Sequence, residues 1–132
     1  MQNPLQKPLS KALPKEAIPK TIICDIDGTL IKHATREQRC DENYEPEILP
    51  NVQDRLLTWD LLNYNIILLT GRKESCRKAT EAQLRKVGIP FDQLVMGVGR
   101  GIRCLINDSI SDLETALAYT VVRNKGLGDV CP

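Results

Sequence analysis

Two carboxylates one residue apart, Asp25 and Asp27, follow the apolar run Thr21-Ile22-Ile23-Cys24 and precede Gly28-Thr29-Leu30. In a continuing strand, residues two apart face one side, so both acids crowd a small volume while Gly28 lets the backbone turn sharply beyond them. Like charges held so close are costly unless a cation, usually Mg²⁺, lies between or beside them. A second group, Thr70-Gly71-Arg72, closes the apolar run Ile66-Ile67-Leu68-Leu69. A hydroxyl at a strand end, followed by glycine and then a helix, suits phosphate, because the hydroxyl and the amides near the helix start all donate hydrogen bonds. A third group is Asn107-Asp108 after residues 102–106, with Asp112 four positions on. Acids, a cation and a phosphate site together are the parts of metal-assisted phosphoryl chemistry.

The elements that must position these groups alternate along the chain. Residues 1–20 carry Pro4, Pro8, Pro14 and Pro19 among Lys7, Lys11, Lys15 and Lys20, which resists helix and sheet and predicts a flexible or extended arm. Residues 21–132 read as one catalytic domain. Its first strand, from Thr21, delivers Asp25 at its carboxyl end. Residues 31–50 are polar and punctuated by Pro46 and Pro50, a flap-sized loop of the length that tends to cover or bind something. It holds the lone His33, either a substrate contact or a solvated loop residue. Asn51 offers a helix cap, and Val52, Leu56 and Trp59 set a core-facing stripe. A second strand over 66–69 follows, then a helix over 74–87 with Cys76, Ala79, Thr80, Gln83, Leu84 and Val87 on one side, closed by Gly88 and Pro90. Residues 91–96 predict a third strand. The run Gly97-Val98-Gly99-Arg100-Gly101 lacks the rest of a dinucleotide fingerprint and reads as a tight turn near the site. A fourth strand at 102–106, a helix from Asp112 through Ala118 and a last strand at 119–122 complete the pattern, and Arg123-Asn124-Lys125-Gly126 opens the tail. Such alternation predicts an α/β fold, a Rossmann-like three-layer sandwich on a mostly parallel sheet, with ligands at the carboxyl ends of its strands.

Asp25-x-Asp27-Gly28-Thr29-Leu30 resembles the first signature of the haloacid dehalogenase (HAD) superfamily, and strand-terminal Thr70 and Asp108 resemble its second and fourth. The resemblance spans 21–122 and implies a short-lidded HAD phosphatase. It assigns Asp25 as nucleophile and Asp27 as acid and base, with Thr70 on the phosphoryl group and Gly28, Thr29, Gly71, Arg72 and Arg100 as further phosphate-binding positions. It also implies Mg²⁺ held by Asp25, Asp27 (through its carbonyl), Asp108 and Asp112. Asn107 replaces the usual Gly or Asp. The family's third-signature Lys is missing, because 96–102 is too short for the helix that carries it, and Arg103 is favoured over Arg100 as the replacement charge, with Lys125 next.

Eighteen Lys and Arg balance seventeen Asp and Glu, so no whole-molecule field calls for nucleic acid or an anionic membrane. No apolar run approaches the roughly 18 residues a membrane helix needs, and 1–20 lack a signal peptide's apolar core, so a cytoplasmic protein is expected. The five cysteines, Cys24, Cys40, Cys76, Cys104 and Cys131, show no close pair and read as buried or incidental thiols rather than a zinc site. The leading expectation is a small phosphorylated substrate, a sugar phosphate above all. The alternative is a nucleic-acid 3′-phosphatase, since polynucleotide kinase phosphatase domains share these signatures. Neutral charge and few aromatics place it second. A non-catalytic binding or regulatory module is the reading from another class. Relatives without a large cap often close their site with a neighbouring subunit, so a homo-oligomer is a further expectation.

Overall fold

A computed structural model describes residues 18–132. The arm expected over 1–20 lies, through residue 17, outside the described residues. Among the described residues three parallel strands form the sheet in the order β1-β2-β3: β1 Thr21–Asp25, β2 Asn65–Leu69 and β3 Gln93–Val95. Registers run Thr21 with Asn65 to Asp25 with Leu69, and Ile67 with Gln93 to Leu69 with Val95. Asp25 and the end of β2 therefore lie side by side.

Helix α1 (Arg36–Arg39) sits in the flap, α2 (Val52–Leu61) links the flap to β2, and α3 (Arg77–Lys86) links β2 to β3 after a 3₁₀ turn at Glu74–Cys76. The α/β class with a parallel sheet is as the sequence predicts. Asn51 departs from expectation in detail: it precedes α2 in a left-handed conformation (φ 64°) and makes no side-chain cap. The stripe Val52, Leu56 and Trp59 is buried against Ile22, Ile66, Leu68 and Leu84, so one core lies between helices and sheet. No helix among the described residues is long and apolar enough to cross a membrane.

The flap is more structured than a plain loop. Thr35 and Gln38 form a reciprocal capping box on α1. Ile31 pairs with Ile48 in an antiparallel bridge, and Lys32 N–H donates to the Glu47 carbonyl at 2.9 Å. A disulfide joins Cys40 to Cys76, with Cα atoms 4.7 Å apart. These two cysteines, expected as thiols, instead tether the flap to the start of α3.

Two strands and one helix expected from the sequence do not form. Residues 102–109 have no regular structure, the helix expected from Asp112 is replaced by turns, and 119–122 joins no strand among the described residues. Ile102, Ile106 and Val122 are exposed. Cys104, expected inside a strand, is exposed too. A parallel strand beside β1 is excluded by the length of the connection. To extend the sheet at the free edge of β1, the chain would have to leave β3, pass over β2 and β1, and return to the starting end of the sheet. Parallel strands need a crossover of about a dozen residues or more, whereas only 96–101 intervene. The chain rejoins the body further on: Leu127 is 3 % exposed, its N–H donates to the Pro50 carbonyl at 3.1 Å, and Arg55 donates to the carbonyls of Val130 and Gly128 at 2.8 and 2.7 Å. Gly126 is obligatory there, because it has φ +84° and any Cβ would collide with the Pro50 carbonyl.

Candidate active site

The turn after β1 is fixed by what it buries. Ile26, Leu30 and Ile31 are all fully buried, Leu30 N–H donates to the Ile26 carbonyl at 2.9 Å, and Gly28 N–H donates to the Ile31 carbonyl at 2.8 Å. Gly28 adopts φ +84° to close it. Three apolar anchors thus hold Asp25, Asp27 and Thr29 at the sheet's carboxyl edge.

The Asp25 side chain is 40 % exposed, so a substrate can reach it, and it accepts from Thr29 Oγ1 at 3.3 Å. Arg103 Nη2 lies 4.0 Å from Asp25 Oδ1. Arg103 is held by donating to the carbonyls of Gly99 and Gly101, so the glycine-rich turn aims its guanidinium. Burial of the rest of the Asp25 carboxyl raises its pKa and the Asp27 charge adds to this, against the Ile26 N–H, Arg103 and Thr29, which lower it. Next to it, burial above all, with the Asp25 charge adding, pushes the Cys24 thiol up to about 12. A thiol of that kind is no nucleophile near neutral pH.

Asp27 is engaged differently. Its two oxygens accept from Arg72 Nη2 and Nε, each at 2.8 Å, a bidentate pair with side chains only 12 % and 1 % exposed. Arg72 Nη1 donates to Thr80 Oγ1 (3.0 Å) and Gln83 Oε1 (2.8 Å), and Gln83 Nε2 donates to the Gln38 and Asp41 carbonyls at 2.7 and 2.9 Å. One buried network thus joins the acid turn, the flap and α3. Arg72, expected among the phosphate-binding groups, is instead turned inward onto Asp27. Thr80 and Gln83 were readable only as polar residues on a buried helix face; that mismatch was the signal for a network.

Thr70 is buried, and its hydroxyl accepts from Arg72 N–H at 3.0 Å. Val98 N–H donates to the Thr70 carbonyl at 3.0 Å, and a Cβ on Gly71 would stand 3.3 Å from the Val98 carbonyl, so this turn and the glycine-rich segment pack closely. Arg100 has its stem beside Gly71 and its side chain exposed. Asp108 and Asp112 are not brought to Asp25. They line an exposed hollow with Asn107, Ser109 and Ser111, because the strand that would have carried Asp108 to the sheet's edge does not form. Lys125 is an exposed residue of the tail.

Among the described residues no three His, Cys, Asp or Glu side chains converge as a ready-made metal cage. Mg²⁺ does not need one: it is held through one or two carboxylates, with waters and substrate phosphate completing its shell. Asp25 fits, as a hard-oxygen ligand whose side chain is accessible and whose neighbour Asp27 adds a second carboxylate two residues on. The Asp27 side chain does not fit, since both oxygens are taken by Arg72, which leaves its backbone carbonyl.

The profile described as "Polynucleotide kinase PNKP phosphatase domain" matches residues 19–103. Two solved structures are similar: a chain of the Pnkp1/Rnl/Hen1 complex (31 % identity, TM-score 0.52) and a chain of the Pnkp1/Rnl/Hen1 RNA repair complex (30 %, 0.52). Each similarity covers 66 % of this chain but 31 % and 28 % of the other, so this chain spans under a third of those proteins' length. Comparison with curated proteins gives no match.

Proposed function

The chain belongs to the family of the polynucleotide kinase PNKP phosphatase domain, a HAD-type phosphatase domain, and from that premise we propose that it removes the 3′-terminal phosphate from a nucleic-acid strand. This reverses the order of the two enzyme readings the sequence offers. The observation that carries the chemistry is the division of labour between two acids in one turn: Asp25 open to solvent beside Arg103, Asp27 clamped by Arg72.

An Asp25 oxygen attacks phosphorus as the bond to the 3′-oxygen breaks, which gives an aspartyl-phosphate. The departing oxygen takes its proton from Asp27, which enters this step protonated on a lone pair that Arg72 leaves free, and in the second step the Asp27 carboxylate takes a proton from the water that attacks phosphorus and frees Asp25. Arg72 fixes the direction of the Asp27 carboxyl group in both steps. Arg103 supplies positive charge 4.0 Å from Asp25, in place of the family lysine that this chain lacks, and so offsets repulsion between the carboxylate and a phosphate dianion. Mg²⁺, held by Asp25 and the Asp27 carbonyl, supplies further neutralising charge when bound.

The nucleic-acid substrate is supported by the family and by the likeness to chains of an RNA repair complex. The deciding experiment measures phosphate release from a 3′-phosphorylated oligonucleotide and from a panel of sugar phosphates, with Mg²⁺ and with chelator. Oligonucleotide turnover that Asp25→Asn abolishes is the expected result. Turnover confined to sugar phosphates would restore the metabolite reading, and none on either would leave a non-catalytic module.

A further inference from the structure

We infer that Arg123, carried back to the acid turn by the tail, is a substrate-binding residue that contacts a phosphodiester of the strand adjoining the scissile phosphate. The inference rests on the nucleic-acid reading above. Asn124 brings it there with two hydrogen bonds: its N–H donates to the Gly28 carbonyl at 2.8 Å, and its Oδ1 accepts from His33 N–H at 2.9 Å. Asn124 holds a left-handed conformation (φ 63°) to make both, a backbone state that persists where the surroundings enforce it. Leu127 in the core and the Arg55 bonds anchor the segment behind it. The Arg123 stem consequently lies over Gly28, its Cγ 3.1 Å from where a Cβ would be, with the His33 ring 3.6 Å from that same point. Arg123 is exposed, and among the described residues it has no carboxylate within ion-pair distance.

Three arginines from two segments, the glycine-rich turn and the tail, therefore stand around the end of the sheet that carries the acids. Arg103 lies 4.0 Å from Asp25, Arg100 stands beside Gly71 at the end of β2, and the Arg123 stem stands beside Gly28. In a chain of net charge +1 this is a local concentration of cation, not a reflection of overall composition. A terminal phosphate is served by the group nearest Asp25. A further guanidinium, unpaired and displaced along the turn, matches the next charge of a polyanion, which arginine binds through its planar fork.

The test is the KM for a single-stranded 3′-phosphorylated oligonucleotide, measured across salt concentrations for the native chain, Arg123→Ala and Arg123→Lys. Lys78→Ala, which removes an exposed charge on α3, serves as control. Each phosphate contact to a single strand adds about 0.7 to the slope of log affinity against log salt. Arg123→Ala should raise KM about tenfold at low salt, the scale of one charge-assisted contact, and flatten the slope by about 0.7. Arg123→Lys should recover the slope, and Lys78→Ala should match the native chain. Native KM and slope in Arg123→Ala, with the native chain turning over the oligonucleotide, would overturn the inference alone. A native chain with no oligonucleotide turnover would instead overturn the functional reading on which it rests.

Discussion

Removing the Arg72 guanidinium would strip Asp27, Thr80 Oγ1 and Gln83 Oε1 of their common partner inside the protein. Arg72→Ala should therefore destabilise by about 3–5 kcal/mol, the cost of leaving a buried charge unpaired, read as a lower urea midpoint. Arg72→Lys keeps the charge but not the fork, so it should fold better than the alanine variant and still lose most turnover; an unchanged midpoint in Arg72→Ala would contradict this. Asp25 behaves in the opposite sense. Its carboxyl has a raised pKa, so the stability it contributes is present below the ordinary carboxylate range near pH ~3.9 and is lost as pH rises through the raised value. Asp25→Asn, neutral at every pH, should accordingly melt higher than the native chain at pH 7 in chelator. That gap should close on acidification, and a variant melting lower at pH 7 would count against it. Both acids were legible in sequence because their type, spacing and following glycine define a turn. The partner of Arg72 was not, since a T-G-R run does not say which way an arginine points.

At the scale of elements, the flap is held by three devices that spacing alone could not pair: the Ile31 to Ile48 bridge, the Gln83 bonds to Gln38 and Asp41, and the Cys40–Cys76 disulfide. The disulfide closes a sequence separation of 36. On the chain-entropy model a loop of that size contributes about 4 kcal/mol. Dithiothreitol, or Cys40→Ser, should then lower Tm by a common amount, and adding dithiothreitol to Cys40→Ser should do nothing more. A Tm indifferent to reductant would mean the two thiols do not pair in solution. The strands β1 and β2 and the helices α2 and α3 were legible as apolar runs and stripes. The strand expected at 102–106 is apolar at every position but Arg103, and the short connection before it excludes a parallel place beside β1, a constraint of topology rather than composition.

The molecule as a whole has two unlike stretches after β3. Residues 102–122 run along the outside with their apolar side chains exposed, whereas 123–130 return to α2, the flap and the acid turn. No sequence periodicity distinguishes them, because the second docks through single contacts: one buried leucine, one obligatory glycine, one left-handed asparagine and the Arg55 fork. A protease that cleaves after glutamate should therefore cut first after Glu114, in the stretch that no helix, strand or disulfide holds, more slowly after Glu42, Glu45 and Glu47, which are also exposed but lie in the tethered flap, and likewise more slowly after Glu81 inside α3. The tail's contacts are made beyond that cut, so residues 115–132 should remain bound, and the nicked protein should elute from gel filtration as one species. Unfolding it should release the fragment, which mass spectrometry would identify. If the fragment separates under native conditions, docking of 123–130 depends on its covalent tether. Arg123 would then leave Gly28 when the chain is cut, and oligonucleotide affinity would fall with the same time course as cleavage.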